Sequence, residues 1–194
     1  MDITRNYYQE NAKAFFDNTV SADVRTLYDR FLKYVPRNGR ILDFGCGSGR
    51  DTKAFLDMGF QVRAIDGSQE LCRLASEFTG INVECMDFFA LNDVACYDAI
   101  WACASIIHVP SDQLGQLLNK MRMSLVDEGV IYISFKQGDF EGVRNGRFFV
   151  DMTAERFRNL LKCIDGLVIV EEWYSEDVRE DRSNSWYDVI LRRV

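Results

Sequence analysis

The chain has 194 residues, 47% hydrophobic and 27% charged, which suits one soluble globular domain with a sizeable core. Its formal net charge of −7 offers no basic face of the kind that nucleic-acid binders carry, which counts against that class of partner. No run approaches the roughly 20 apolar residues of a membrane span, and the polar start MDITRNYYQENAK lacks a secretory h-region, so a cytoplasmic protein with no membrane partner is expected.

Residues 1–37 are expected to form a helical cap. Tyr8, Ala12, Phe15 and Phe16, then Leu27, Phe31, Leu32 and Val35, recur at helical period. Pro36, Asn38 and Gly39 break the chain, and strand and helix signals alternate from there. ILDF (41–44) reads as a short strand, residues 50–58 as a helix ending near Gly59, and QVRAID (61–66) as a second strand. Ser68 is placed to cap a helix that runs to about Phe78 and closes at Gly80. INVECM (81–86) and YDAIWACAS (97–105) read as strands three and four.

Ser111 is expected to cap the next helix, whose apolar positions include Leu114, Leu117, Leu118, Met121 and Leu125. GVIYISF (129–135) is apolar throughout, as in a strand covered on both faces. Thr153 to Cys163 reads as a helix, and LVIVEEWY (167–174) and WYDVILRRV (186–194) as two last strands joined by SEDVREDRSNS. The pattern predicts one doubly wound α/β domain spanning residues 1–194, with an antiparallel pair at the end.

Ligands of such sheets bind at the carboxyl ends of the strands, where the first strand of this chain runs into ILDFGCGSGR. Gly45, Gly47 and Gly49 are spaced two and two, unlike the G-x-G-x-x-G dinucleotide fingerprint, and no Gly-Lys-Ser/Thr follows to make a phosphate loop. Asp51 puts a negative charge where a helix start would otherwise hold pyrophosphate. A ligand with a positive group and no phosphate fits better. Asp66 closes the second strand, where an acid commonly accepts from a ribose diol. Asp87 and Phe88 close the third, where a carboxylate and a ring suit an adenine.

On these residues the sequence resembles the class I S-adenosylmethionine-dependent methyltransferases. ILDFGCGSGR looks like their first motif, VRAIDGS their second, VECMDFFAL their third, YDAIWACASIIHV their fourth and LVDEGVIYISF the segment through the fifth strand. YYQENAKAFF, DGSQEL, IWACASIIHVP and SFKQGDFEG further resemble a small bacterial subgroup labelled tellurite-resistance-like. The resemblance implies a Rossmann-like seven-stranded sheet in order 3-2-1-4-5-7-6, strand 7 antiparallel, with helices on both faces. It implies S-adenosyl-L-methionine as cofactor, held by Gly45, Cys46, Gly47 and Gly49, with Asp43 beneath its methionine part. Asp66 would take the ribose hydroxyls, with Gly67 and Ser68 also binding the cofactor, and Met86, Asp87 and Phe88 would hold the adenine. Ala102 and Cys103 would line the pocket near the methyl group, and Tyr8 and Phe15, whose spacing equally serves packing, would close over the cofactor.

The acceptor is less defined. The Asp/Asn/Ser-Pro-Pro-aromatic signature of exocyclic-amine methylation is missing, and Cys103 lacks the preceding proline of cytosine-5 enzymes. Six scattered cysteines and one histidine offer no ordinary metal set. His108, just after the fourth strand, is the candidate general base, or else a histidine bonded within its turn. In KQGDFEGVRNGRFFVD (136–151), read as a long functional connection, Lys136, Arg144 and Arg147 are candidates to grip an anionic acceptor, unless they pair with Asp139, Glu141 and Asp151. The expected activity is in-line methyl transfer to a small, anionic molecule. A tRNA or protein methyltransferase and a non-catalytic S-adenosylmethionine-binding protein are the alternatives, and the oligomeric state is open.

Overall fold

Strand sequences that are apolar on both sides demand cover on both faces, and the chain supplies it from either end. The computed structural model of the chain describes residues 2–178 and 185–194. Its strands are β1 Arg40–Phe44, β2 Gln61–Asp66, β3 Glu84–Cys85, β4 Tyr97–Ala102, β5 Leu125–Lys136, β6 Glu141–Arg144, β7 Arg147–Val150, β8 Leu167–Glu176 and β9 Ser185–Arg193. The helices are α1 Asp2–Glu10, α2 Ala12–Thr19, α3 Arg25–Phe31, α4 Arg50–Asp57, α5 Gln69–Thr79, α6 Ser111–Ser124 and α7 Ala154–Leu161.

Seven strands form one sheet in order β3-β2-β1-β4-β5-β9-β8, and β6 and β7 make a separate hairpin. The pairs β2–β3, β1–β2, β1–β4 and β4–β5 are parallel, while β9 runs antiparallel to both β5 and β8. With the hairpin set aside, β8 and β9 are the sixth and seventh strands, and the order is the expected 3-2-1-4-5-7-6. Alternate residues face opposite layers. Leu42, Ile100, Ile131 and Ile133 pack with α6 and with Phe157 of α7. Ile41, Trp101, Tyr132 and Ile190 pack with Tyr28, Phe31 and Phe55 on the other face. The Trp101 and Tyr132 rings stack with centroids 4.0 Å apart and anchor that second layer.

Several element bounds differ from the sequence reading for identifiable reasons. The N-terminal cap is three short helices and a turn at Leu32–Tyr34, broken near Asn11 and between Thr19 and Arg25. The third strand shrinks to Glu84–Cys85, because it lies at the sheet edge and meets only Ile65 and Asp66. β5 starts at Leu125 and passes through a left-handed Glu128, with the register against β4 shifting between Tyr97 and Ala99. Ser111 is the first residue of α6 rather than its cap, and its N–H donates to Glu141 Oε1 of the hairpin at 3.0 Å.

Ser68 does cap α5, accepting from the Leu71 N–H, and Gly80 ends that helix at φ +81°. Residues 136–151 are not a loop: Asn145 and Gly146, both at positive φ, make the two-residue turn of a twisted hairpin. Residues 179–184 of the charged stretch before β9 lie outside the described residues.

Candidate functional site

A cavity of about 240 Å³ opens at the carboxyl edge of the parallel strands, under α1, α2 and the β6–β7 hairpin. The glycine loop forms one wall. Gly45 and Cys46 both donate their N–H to the Ile65 carbonyl, at 2.9 and 3.0 Å, which turns the chain sharply after β1. A Cβ on Gly45, at φ +83°, would lie 2.5 Å from Ser105 Cβ, and one on Gly47 would lie 3.0 Å from the Phe15 ring. Bare backbone at these two positions is what leaves room.

The second acid completes the loop. Asp66 Oδ2 accepts from Gly47 N–H and Oδ1 from Ser68 N–H, each at 2.9 Å, with the carboxylate facing the cavity. Burial pushes its pKa up, against the pull of these backbone donors. Cys46, Gly67, Ser68, Met86, Asp87 and Phe88 also line the cavity. Phe88 stacks on Phe44 at 4.4 Å, and Asp87 is tied to Arg5 of α1 at 2.6 Å.

Three residues assigned to the cofactor stand away from the cavity. Asp43 is 2% exposed and accepts from Thr52 Oγ1 at 2.5 Å, so it braces the start of α4 beneath the loop; burial raises its carboxyl to about 8. Gly49 is the N-terminal cap of α4, and a Cβ there would meet Thr79 Cγ2 of α5 at 2.8 Å. It packs helices rather than ligand. Ala102 is fully buried under the edge.

Cys103 does line the cavity, but burial lifts its thiol to about 12, which removes it as a nucleophile. Beyond it the backbone is forced: Ala104 sits at φ +51°, held by its N–H donating to Ser134 Oγ at 2.8 Å. Ser105 follows, 6% exposed, and its Oγ has no hydrogen-bond partner among the described residues.

His108 is engaged at both ring nitrogens. A carbonyl only accepts, so Nδ1 carries the proton and donates to Phe148 O at 2.6 Å. Nε2 then accepts from the Tyr8 hydroxyl at 2.9 Å, and Tyr8 in turn accepts from Arg147 Nη1 at 3.2 Å. Burial lowers the ring to about 4. The lone pair that a general base would use is therefore covered by Tyr8, and His108 acts as a link.

The three candidate cations are divided. Lys136 and Arg147 line the cavity, Lys136 with its ammonium 5.0 Å from the centre of the Phe149 ring. Arg144 does not: its two terminal nitrogens donate to both oxygens of Asp151, at 2.7 and 2.5 Å. Asp151 directly follows β7, and the pair consumes the guanidinium.

Several lining residues were not among the candidate site residues. Arg50 and Asp51 form a buried pair in which Asp51 also accepts from Tyr28 Oη at 2.5 Å and Trp101 Nε1 at 2.7 Å. Burial works against the Asp51 charge, yet Arg50 and these donors hold it below the usual carboxylate range. At the far end stand Tyr132, Ser134, Ser175, Trp186 and Asp188. A lone carboxylate within the apolar run WYDVIL was the one signal for Asp188.

With this geometry in view, residues 41–129 match the methyltransferase domain family. The match covers the glycine loop, the Asp66 turn and the fourth strand, a little under half of the chain. The chain is 28% identical over 126 residues to an uncharacterized methyltransferase of Staphylococcus carnosus, covering 61% of each. It is 28% identical over 134 residues to protein-L-isoaspartate O-methyltransferase 2 of Shewanella sediminis, covering 62% of this chain and 55% of that protein. The chain thus spans under two thirds of the length of these curated relatives.

The whole fold has solved counterparts. The Burkholderia thailandensis 1,6-didemethyltoxoflavin-N1-methyltransferase, with 1,6-didemethyltoxoflavin and S-adenosylhomocysteine bound, superposes with a TM-score of 0.76 at 20% identity, covering 97% of this chain and 84% of that one. Magnesium protoporphyrin IX methyltransferase from Synechocystis, with S-adenosylhomocysteine bound, gives 0.72 at 17% identity, covering 98% and 97%. The matched residues 41–129 supply the glycine loop and the Asp66 turn, while α1, the hairpin and β9 complete the cavity around them. No helix among the described residues is long and apolar enough to cross a membrane.

Proposed function

We propose that the chain is an S-adenosylmethionine-dependent methyltransferase that alkylates a small molecule held beside Cys103. The observation that carries this is the Asp66 carboxylate, oriented by the Gly47 and Ser68 N–H groups and lining the cavity, where its oxygens have capacity to accept further donors. That is the acceptor pair a ribose diol needs. The glycine cradle, in which a Cβ at Gly45 would overlap Ser105, fits the rest of the cofactor. Phe88, backed by Phe44, presents a ring face for the adenine, and Asp87 an acceptor beside it.

The cofactor, when bound, supplies a methyl group on a sulfonium centre. The chain's own part is to align and exclude water. Orientation of donor and acceptor can supply several kcal/mol of barrier reduction, on the order of 7 in well-fixed cases. No residue need form a bond with the methyl group, and the neutral Cys103 thiol and doubly engaged His108 agree with that. Cys103 would stand beside that methyl group as a neutral wall, and His108, with both ring nitrogens engaged, would leave the acceptor's proton to solvent.

A small acceptor suits the chamber, and methylation of small molecules by the toxoflavin relative supports that class. Of the three cations that suggested an anionic acceptor, only Lys136 and Arg147 line the cavity, since Arg144 is spent on Asp151, and an anionic charge is not part of this proposal. The motifs near both ends of the cavity support the tellurite-resistance-like subgroup, but they say nothing of the acceptor. A cytoplasmic setting accords with these readings. Isothermal titration with S-adenosylmethionine and S-adenosylhomocysteine tests the cofactor assignment, and labelled-methyl transfer into small-molecule, RNA and protein fractions tests the acceptor class. Absence of binding at about millimolar cofactor overturns the proposal, and label in RNA or protein alone overturns its acceptor.

A further inference from the structure

The cavity extends two strands beyond the donor loop, and its far end has a different chemistry from its middle. Ser134 of β5 is paired in register with Asp188 of β9, and Asp188 with Trp173 of β8. Cys103 at the tip of β4 lies 3.9 Å from Ser134 Oγ, so β4, β5 and β9 present Cys103, Ser134 and Asp188 in a row along the sheet edge. Neighbouring strands are about 4.8 Å apart. The Asp188 carboxylate is therefore about 10 Å from the Cys103 edge, the span of one ring with a short side chain.

Asp188 is a costly group to place there. It is 1% exposed, and Arg30, which is itself bonded to Glu171, lends it only a charge without a direct bond. Its oxygens accept from Tyr132 Oη at 2.5 Å and Ser175 Oγ at 2.6 Å. Each oxygen keeps a further lone pair, and the side chain lines the cavity with Trp186 beside it. Two hydroxyls only partly compensate a buried carboxylate. Lys136, Arg144 and Arg147, which would be the natural counter-ions, gather instead around the Phe149 ring, at 5.0, 4.6 and 5.0 Å from its centre.

The near end of the same cavity carries an independent sign of an absent polar group. Ser105 Oγ is buried in the lining and finds no partner among the described residues. A ligand spanning the chamber thus meets a hydroxyl in need of a hydrogen bond at one end and a carboxylate in need of donors at the other.

We propose that the methyl acceptor is a small, roughly one-ring molecule whose distal end carries an N–H donor group, a protonated amine or an amidine-like group, that docks on Asp188. Its methyl-accepting atom points back toward Cys103 and Ser105. The proposal rests on the methyltransferase reading above and adds the chemistry of the acceptor. The indole of Trp186 flanks the distal group, so a cation there gains from the ring as well as from the carboxylate.

Matched pairs of probes test this on the full chain saturated with S-adenosylhomocysteine: benzylamine against benzoate, tyramine against 4-hydroxyphenylacetate, tryptamine against indole-3-acetate, each titrated by calorimetry. At least one amine is expected to bind about tenfold or more tighter than its matched acid, and Asp188→Asn should bring that ratio to within about twofold, with S-adenosylhomocysteine affinity unchanged. If Asp188→Asn does not fold, Ser175→Ala, which frees Oδ2, should tighten the same amine several-fold.

Acids binding as well as or better than amines overturn the proposal. So does an amine preference that survives in Asp188→Asn or fails to tighten in Ser175→Ala, and so does a lack of any amine binding at about 10 mM. Failure of S-adenosylhomocysteine itself to bind the wild-type chain would instead remove the cofactor assignment, and is read out before any probe is added.

Discussion

The Tyr8 hydroxyl donates to His108 Nε2 at 2.9 Å, and this bond joins α1 to the turn that follows β4. Through Nδ1 and the Phe148 carbonyl the same ring also holds the hairpin, so cover and chamber share one histidine. Burial keeps that ring neutral down to about 4, whereas the unfolded chain takes up its proton near 6.5. Between these values the unfolded state binds more protons, so stability falls as pH drops from about 6.5 to about 4 and is unaffected by this group above. His108→Gln should remove that part of the acid sensitivity, on the order of 3 kcal/mol at most. Urea unfolding of both proteins at pH 7 and pH 4.5 measures it; equal acid losses would mean that the imidazole is not held neutral. The pH profile of turnover should show no histidine inflection near 6.5.

Asp66 bridges Gly47 and Ser68, and the two turns that face the cavity depend on it together. Asp66→Asn keeps the size but turns an amide N–H₂ toward one of the two backbone donors. An orphaned buried donor costs about 1–3 kcal/mol. The loss of a ribose acceptor adds to this, so S-adenosylhomocysteine affinity should fall by about tenfold or more. Calorimetry with the variant, checked by its melting curve, decides; an affinity within about twofold of wild type removes Asp66 from the cofactor site.

How far the sequence revealed this architecture depends on how local each signal was. ILDF and YDAIWA announced central strands because both of their faces are covered, and the Gly45 and Gly47 turn was legible because close approach leaves glycine no substitute. INVECM misled because an edge strand pairs only as far as its neighbour reaches. The Asn145-Gly146 turn signal was present, but glycines around it read as a loop, and only its pairing shows a hairpin. Asp43 and Gly49 sit within the motif yet serve α4 and α5, a distinction of side-chain direction that spacing does not carry. Asp188 and Ser105 are 83 residues apart, and only the folded sheet brings both to one chamber.

Arg144 and Arg147 are three residues apart but do different work. Arg144 neutralises Asp151, whose side chain is 8% exposed, through a two-pronged pair. Arg144→Ala leaves that carboxylate without its cation and should cost about 2 kcal/mol of stability, with little effect on ligand affinity. Arg147 lines the cavity, bonds to the Tyr8 hydroxyl and lies over the Tyr7 ring at 4.6 Å. Arg147→Ala should therefore weaken S-adenosylhomocysteine or acceptor binding about five- to tenfold. Parallel unfolding curves and titrations of the two variants check the split, and a reversed pattern would return Arg144 to the chamber.

Asp43 offers the sharpest test of which motif residues touch ligand. The carboxyl is 2% exposed under the loop, and burial, with the nearby Asp51 charge, lifts it to about 8. An unfolded aspartic acid ionises near 3.9, so the folded state keeps a proton that the unfolded state gives up. Stability from this group is therefore lost as pH rises from about 4 to about 8, by on the order of 5 kcal/mol in full. Asparagine resembles the neutral acid in shape and can still accept from Thr52 Oγ1. Asp43→Asn should then stabilise the chain increasingly between pH 5 and pH 8, while S-adenosylhomocysteine affinity stays within a few-fold of wild type. Guanidinium unfolding across that range, paired with calorimetry at pH 7, gives both readouts. A folded Asp43→Asn protein that no longer binds S-adenosylhomocysteine would make Asp43 a ligand contact after all, and a flat pH response would mean that it is buried as an anion.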